Sequence, residues 1–301
     1  MPLIEIGNVT KDYGRGRGVF DLSLSIERGE VFGFVGTNGA GKTTLIRQMM
    51  GFLRPDSGGI AINGLDCWRD AAQVKKSVGY VPGEIAFPDA PTGTVFLQRQ
   101  AELIGLRDMR RAEEIVEKLQ FDPTANLKRM SKGMKQKTAI VAAFMADSEV
   151  LVLDEPTTGL DPLMRTAFVD LLHQEKEKGK TIFMSSHMFE EVEDTCDKVA
   201  LIKGGRLIAV KSTAEIRHNE NKVFKIEFET REDYNRFVAE DFVFSERKDE
   251  KNQVFVNIRD RDINRLLLAL KGCRVKFISE IKYTLEQYFK SLYEGGAIDV
   301  Q

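Results

Sequence analysis

The sequence predicts an α/β protein: a mixed β core interrupted by a helical insertion and followed by a small α+β unit of ferredoxin-like order. Three observations carry that expectation. From Ser148 onward, apolar strand-like runs alternate with helical periodicity. A glycine-rich turn, GTNGAGKTT (36–44), joins the apolar run EVFGFV to the helical stretch LIRQMMGF. A second apolar run, VLVLDEP (150–156), ends in two adjacent carboxylates.

In chain order, LIEIGNV (3–9), VFDLSLSI (19–26), EVFGFV (30–35) and GIAINGL (59–65) read as strands, punctuated by glycines and charges. Residues 94–104 and 108–119 read as helices, the second placing Met109, Ala112, Ile115, Val116 and Leu119 on one face. Residues 84–146 form the expected helical insertion. The strand EVLVLD, a helix from Pro162 to about Lys178, the strand KTIFMSS and a short helix follow. VALIK-GG-RLIAV then reads as a hairpin, because Gly204-Gly205 tolerates the positive φ of a two-residue turn. A boundary near residue 218 divides the chain into expected units 1–217 and 218–301, the second with the order βαββαβ and a terminal helix, TLEQYFKSLYE.

The bulk composition is that of an ordinary globular protein, 42% hydrophobic and 30% charged. A net charge of −2 supplies no global field for nucleic acid or anionic lipid, so no nucleic-acid partner is expected. Cys67, Cys196 and Cys273 are odd in number and scattered, which fits a reducing, cytoplasmic compartment better than a disulfide framework or a zinc site. The start, MPLIEIGNV, reads as a strand rather than a signal peptide, and no run approaches the ~20 apolar residues of a membrane span.

The turn at 36–44 satisfies G-x-x-x-x-G-K-[ST] through Gly36, Gly41, Lys42 and Thr43. In such a turn the N–H groups of Asn38, Gly39, Ala40 and Gly41 can curl toward phosphate oxygens, and the helix beginning near Lys42 and Thr44 adds unpaired donors. Lys42 can reach β- and γ-phosphates, and the Thr43 hydroxyl can ligand Mg²⁺. At the end of the second strand, Asp154 is suited to hold Mg²⁺ and Glu155 to polarise an attacking water. The basic run LKRMSKGMKQK (127–137) has Ser131 placed to cap a helix, and Asp161 is placed to cap the helix opened by Pro162.

Together these motifs resemble the nucleotide-binding subunit of an ATP-binding cassette (ABC) transporter, over about residues 3–215, in the family's order and spacing. The resemblance implies a P-loop NTPase cassette with ATP and Mg²⁺ as ligands. It places Tyr13 (in KDYG) against adenine, His187 (after MSS) at the γ-phosphate as the switch histidine, and Lys42, Glu155 and His187 as the catalytic set. TTGLD (157–161) is similar to the D-loop. Met130, Ser131, Lys132, Gly133 and Met134 stand where the family has LSGGQ, with lysine for the first glycine and methionine for the glutamine. This implies that Ser131, Lys132, Gly133, Met134 and Asp161 face ATP held by a second cassette subunit, so that two subunits sandwich two nucleotides. SKGMKQ is similar to a variant found among ABC-2-type exporters. Gly83 replaces the family's usual Mg²⁺-contacting glutamine, leaving Glu84, a water or a partner residue to substitute for it.

The implied activity is ATP hydrolysis driving export through a separate multi-spanning permease, with the chain peripheral on the inner face of the cell membrane. Two alternatives stay open on the sequence. One is a non-transport ABC ATPase acting on ribosomes or nucleic acid, against which the single cassette and balanced charge count. The other is an ATP-sensing regulator with little turnover, which Gly83 keeps in view. IAFPDAP offers Phe87 and Pro88 for contact with a membrane partner, with local packing of Phe87 as the competing reading.

Overall fold

The computed structural model describes residues 2–217, 221–281 and 284–294, and the chain divides into two compact units between Thr213 and Ala214. His218 lies outside the described residues.

The first unit contains β1 (Pro2–Asp12), β2 (Gly18–Glu27), β3 (Val31–Val35), α1 (Lys42–Met49), β4 (Ser57–Ile62), β5 (Leu65–Asp66), α2 (Ala71–Ser77) and β6 (Val78–Val81). Next come α3 (Gly93–Ile104), α4 (Arg110–Lys118), α5 (Lys132–Phe144), β7 (Val150–Asp154), α6 (Pro162–Glu177), β8 (Thr181–Ser186), α7 (Phe189–Thr195), β9 (Lys198–Lys203) and β10 (Arg206–Ser212), with α8 (Thr213–Arg217) at the junction.

Two sheets build this unit. An antiparallel sheet has the order β2-β1-β4-β5, and β2 alternates buried and exposed residues as a sheet with one solvated face requires. A six-stranded sheet has the order β10-β9-β3-β8-β7-β6, parallel except for β10, which returns through the Gly204-Gly205 turn. All five residues of β3 and all five of β7 are buried, the pattern of strands covered on both faces. Phe183 of β8 packs against Phe32 and Phe34 of β3, with ring centroids 6.0 and 5.6 Å apart.

The helical insertion falls between β6 and β7, which pair with each other in parallel. Its first helix, α3, runs from Gly93 to Ile104, as the 94–104 reading expects, and Pro82, Pro88 and Pro91 keep the preceding segment out of the α region. A cluster of ion pairs ties the insertion to the core. Buried Glu175 on α6 accepts from Arg111 of α4 at 2.6 Å and lies 2.6 Å from Lys180, while Arg111 Nε donates to the Phe144 carbonyl at 2.7 Å.

The second unit contains β11 (Asn221–Phe228), α9 (Arg231–Val238), β12 (Val243–Lys248), β13 (Gln253–Arg259), α10 (Ile263–Leu270), β14 (Val275–Ile281) and α11 (Leu285–Glu294). Its strand order, β12-β13-β11-β14, is antiparallel throughout, which is the split βαβ arrangement expected from sequence. Ile226, Phe228, Tyr234, Phe237, Val254, Val256 and Leu266 form its core.

Candidate nucleotide site

Segments at the carboxyl ends of β3, β6 and β7 line one cleft of ≈470 Å³, the place where open α/β sheets hold ligands. Asn38, Gly39, Gly41, Lys42, Thr43 and Thr44 line it. Helix α1 starts there without a side-chain cap, so its first-turn N–H groups and partial positive charge are available to an anion. Gly41 has φ 111°, and a Cβ there would stand 2.7 Å from Val19 Cγ1 and 2.9 Å from the Gly18 carbonyl, so only glycine fits. Gly36 and Ala40 are buried and brace the turn. The Gly36 carbonyl accepts from Lys42 Nζ at 2.8 Å, and the Ala40 carbonyl accepts from the Gly205 N–H at 3.0 Å.

Asp154 ends β7 fully buried. Its Oδ1 accepts from the Ser185 hydroxyl at 2.6 Å, whereas Oδ2 has no hydrogen-bond partner among the described residues. Burial pushes this carboxyl above its ordinary pKa, and the Ser185 and Thr43 hydroxyls pull against that shift. An orphaned, buried carboxylate oxygen beside a threonine hydroxyl is a donor set suited to a hard cation such as Mg²⁺.

Glu155, one residue on, adopts φ 48°, which turns the chain out of the strand, and its N–H donates to the Ser185 carbonyl at 3.1 Å. Three groups converge on its carboxylate: Lys42 Nζ at 3.3 Å from Oε1, His187 Nδ1 at 3.2 Å from Oε2, and the Thr158 hydroxyl at 3.4 Å. Lys42, Glu155 and His187 therefore meet in the folded chain although 113 and 32 positions separate them in sequence (155 − 42 and 187 − 155). Ser185 and Thr158 were not singled out by sequence reasoning. The hydroxyls at a strand end in MSSH and in TTGLD were the available signals.

Gly83 borders the Asp154 carboxylate. A Cβ at this position would stand 2.8 Å from Asp154 Oδ2 and 3.0 Å from its Cγ. Glu84 lines the same cleft, with its side chain 93% exposed and Arg47 3.9 Å away. Substitution of Gly83 therefore presses on Asp154. Gly83→Gln is expected to raise the Mg²⁺ concentration for half-maximal ATPase about tenfold, within the roughly 1–3 kcal/mol typical of overpacking. A magnesium titration with an unchanged midpoint would show that the 82–84 segment moves aside freely.

Tyr13 stands at the rim of the cleft, 48% exposed. Ser131 caps α5, its hydroxyl accepting from the Met134 N–H at 3.2 Å, and Asp161 caps α6, accepting from the Met164 N–H at 3.0 Å. Lys132 and Gly133 pack on Gly159: a Cβ on Gly133 would stand 2.8 Å from the Gly159 carbonyl, and one on Gly159 would stand 3.1 Å from Lys132 Cγ. Within a single chain Lys132 also lines the cleft, beside Thr158. His173 is exposed on α6, away from this cluster of contacts.

Residues 19–158 match the family model described as ABC transporter. The chain is 31% identical to the bacitracin transport ATP-binding protein BcrA of Bacillus licheniformis, over 98% of this chain and 99% of that protein. It is 38% identical to the ABC transporter ATP-binding protein NatA of Bacillus subtilis (strain 168), over 68% of this chain and 87% of that protein. Among solved structures, one described as the ATP-binding subunit of an ABC transporter superposes with a TM-score of 0.66 at 30% identity, covering 71% of this chain and 92% of that one. The dimeric cassette MJ0796 bound to ADP and Pi shares the fold, with a TM-score of 0.62 at 20% identity over 70% of this chain and 98% of that one. With the P-loop, the strand-end carboxylates and the capped α5 all in place, this chain belongs to the ABC transporter family, as an ATP-binding ATPase subunit.

Proposed function

We propose that this chain powers an exporter: two cassettes close on two ATP molecules and drive a separate membrane-spanning permease. The convergence of Lys42, Asp154, Glu155 and His187 on one uncapped helix N-terminus carries this reading. The P-loop N–H groups and Lys42 bind the phosphates, and Tyr13 stacks on the base. Thr43 and Asp154 would hold Mg²⁺, which would supply charge neutralisation to the bound phosphates. Glu155 takes a proton from the attacking water, while His187 orients and stabilises the γ-phosphate. Ser131, Lys132, Gly133, Met134 and Asp161 face the nucleotide of the second cassette, so an isolated subunit turns over slowly. The Nod factor export ATP-binding protein I of Rhizobium etli, 34% identical over 69% of this chain, supports the direction of transport.

The permease docks in a groove of ≈270 Å³ where the core meets the helical insertion. Phe52, Tyr80, Phe87 and Phe96 line it, Phe87 packed edge-on against Phe96 with centroids 4.7 Å apart, and Lys75 and Lys76 stand at its side. Phe52 is 53% exposed there, with Lys75 Nζ 4.5 Å from its ring centroid. An amphipathic cytoplasmic helix with acidic residues beside its apolar face is complementary to this groove. Gentle detergent extraction of tagged chain is expected to co-purify a multi-spanning membrane protein, and Phe52→Glu to abolish that recovery while leaving the ATPase of the isolated chain intact. Recovery on ribosomes or nucleic acid alone would refute the transport reading.

A further inference from the structure

Behind His187 lies a polar cluster that the hydrolysis scheme does not use. Glu191 of α7 is only 8% exposed. Its Oε2 accepts from the Ser186 hydroxyl at 2.8 Å, and the same hydroxyl oxygen accepts from the Met188 N–H at 3.0 Å. Ser186 thus commits its one proton to Glu191 and a lone pair to the backbone just past His187. The turn that carries the imidazole hangs from the Glu191 carboxylate through a single hydroxyl.

The other half of that carboxylate is unsatisfied. Glu191 Oε1 is buried without a hydrogen-bond partner among the described residues, and so is Arg165 Nε near the start of α6. Helices α6 and α7 pack against each other, so a buried acid and a base, each with an unpaired atom, stand on two elements in contact. Burial raises the Glu191 pKa, and the Ser186 and Thr157 hydroxyls and the Arg165 charge pull it back down. Thr157, 4% exposed, and Arg165 flank Asp161, the N-cap of α6. Leaving complementary buried groups apart costs free energy that a small shift of α6 against α7 recovers.

We infer that Glu191 is a positioning residue that couples the His187 turn to the Thr157–Arg165 segment, with Arg165 as the cation that completes the link. Closure of a second cassette on Asp161 would press α6 toward α7, pair Arg165 with Oε1, and fix the imidazole through Ser186. The inference rests on His187 acting at the γ-phosphate, as proposed above.

The test is steady-state ATPase of the full chain with ATP varied, for Glu191→Gln, Arg165→Met and Arg165→Lys, each also combined with His187→Ala, with folding checked by thermal melting. Glu191→Gln and Arg165→Met should each lower kcat about tenfold with KM unchanged, inside the hundredfold that a misplacement of about 1 Å costs. Their double variant should be no slower than either single one, Arg165→Lys should retain most of the rate, and neither should add to the loss in His187→Ala. Parental kcat in Glu191→Gln, losses that multiply, or a loss confined to KM would overturn the coupling. If His187→Ala itself keeps parental kcat, the role of His187 fails and the coupling with it. If only Glu191→Gln is parental, the coupling alone fails. Should Glu191→Gln not fold, Arg165→Met and its combination with His187→Ala decide by the same criteria.

Discussion

Glu155→Gln is expected to leave ATP binding intact, lower turnover by about 10²–10⁴ and trap a dimer that persists in ATP. The substitution keeps the side chain's volume and the left-handed backbone at φ 48°. It removes the carboxylate proposed to take a proton from water, and it removes a negative charge 3.3 Å from Lys42 Nζ. Lys42 is then free to give its full charge to the phosphates, so affinity holds or rises while the chemical step stops. His187 and Thr158 still have an amide oxygen to meet. The readouts are nucleotide titration, phosphate release and size-exclusion chromatography with ATP. Hydrolysis at the parental rate would move the general base elsewhere.

Most of this site was legible because its groups are tied to elements with strong local signals. The P-loop reads from glycine spacing, and Asp154 and Glu155 read from an apolar run that must be a buried strand. Ser131 and Asp161 read as caps, and both do cap helices. The short elements were less legible: α2 (Ala71–Ser77) and β6 (Val78–Val81) did not stand out, since so few residues carry no resolvable period. Contacts across the fold were also hidden. That Gly83 abuts Asp154, or that Ser185 holds its Oδ1, follows from β6, β7 and β8 lying side by side, and sequence spacing does not encode that. Nor does the sequence show that Glu84, which lines the cleft, keeps an exposed side chain there.

Lys42→Ala should reduce nucleotide affinity by about 10- to 100-fold, the equivalent of the roughly 1.5–3 kcal/mol of a hydrogen bond to a charged group. Lys42 is only 5% exposed, and its ammonium is already aimed by the Gly36 carbonyl at 2.8 Å, the Thr37 carbonyl at 3.3 Å and Glu155 at 3.3 Å. Little entropy remains to be lost when phosphate arrives, so removing this group forfeits nearly its whole contribution. Glu155 keeps His187 and Thr158 as partners, and the α1 N-terminus stays in place, so the variant should fold and melt near the parent. Lys42→Arg makes the sharper comparison. It retains the charge, but a planar guanidinium has to fit where a compact ammonium sits between two carbonyls. Recovery of parental affinity by arginine would show that charge alone suffices, whereas weak binding by both variants assigns the effect to the shape of this pocket. Fluorescence titration with an ATP analogue measures both, and an alanine variant within twofold of the parent would remove Lys42 from the phosphate site.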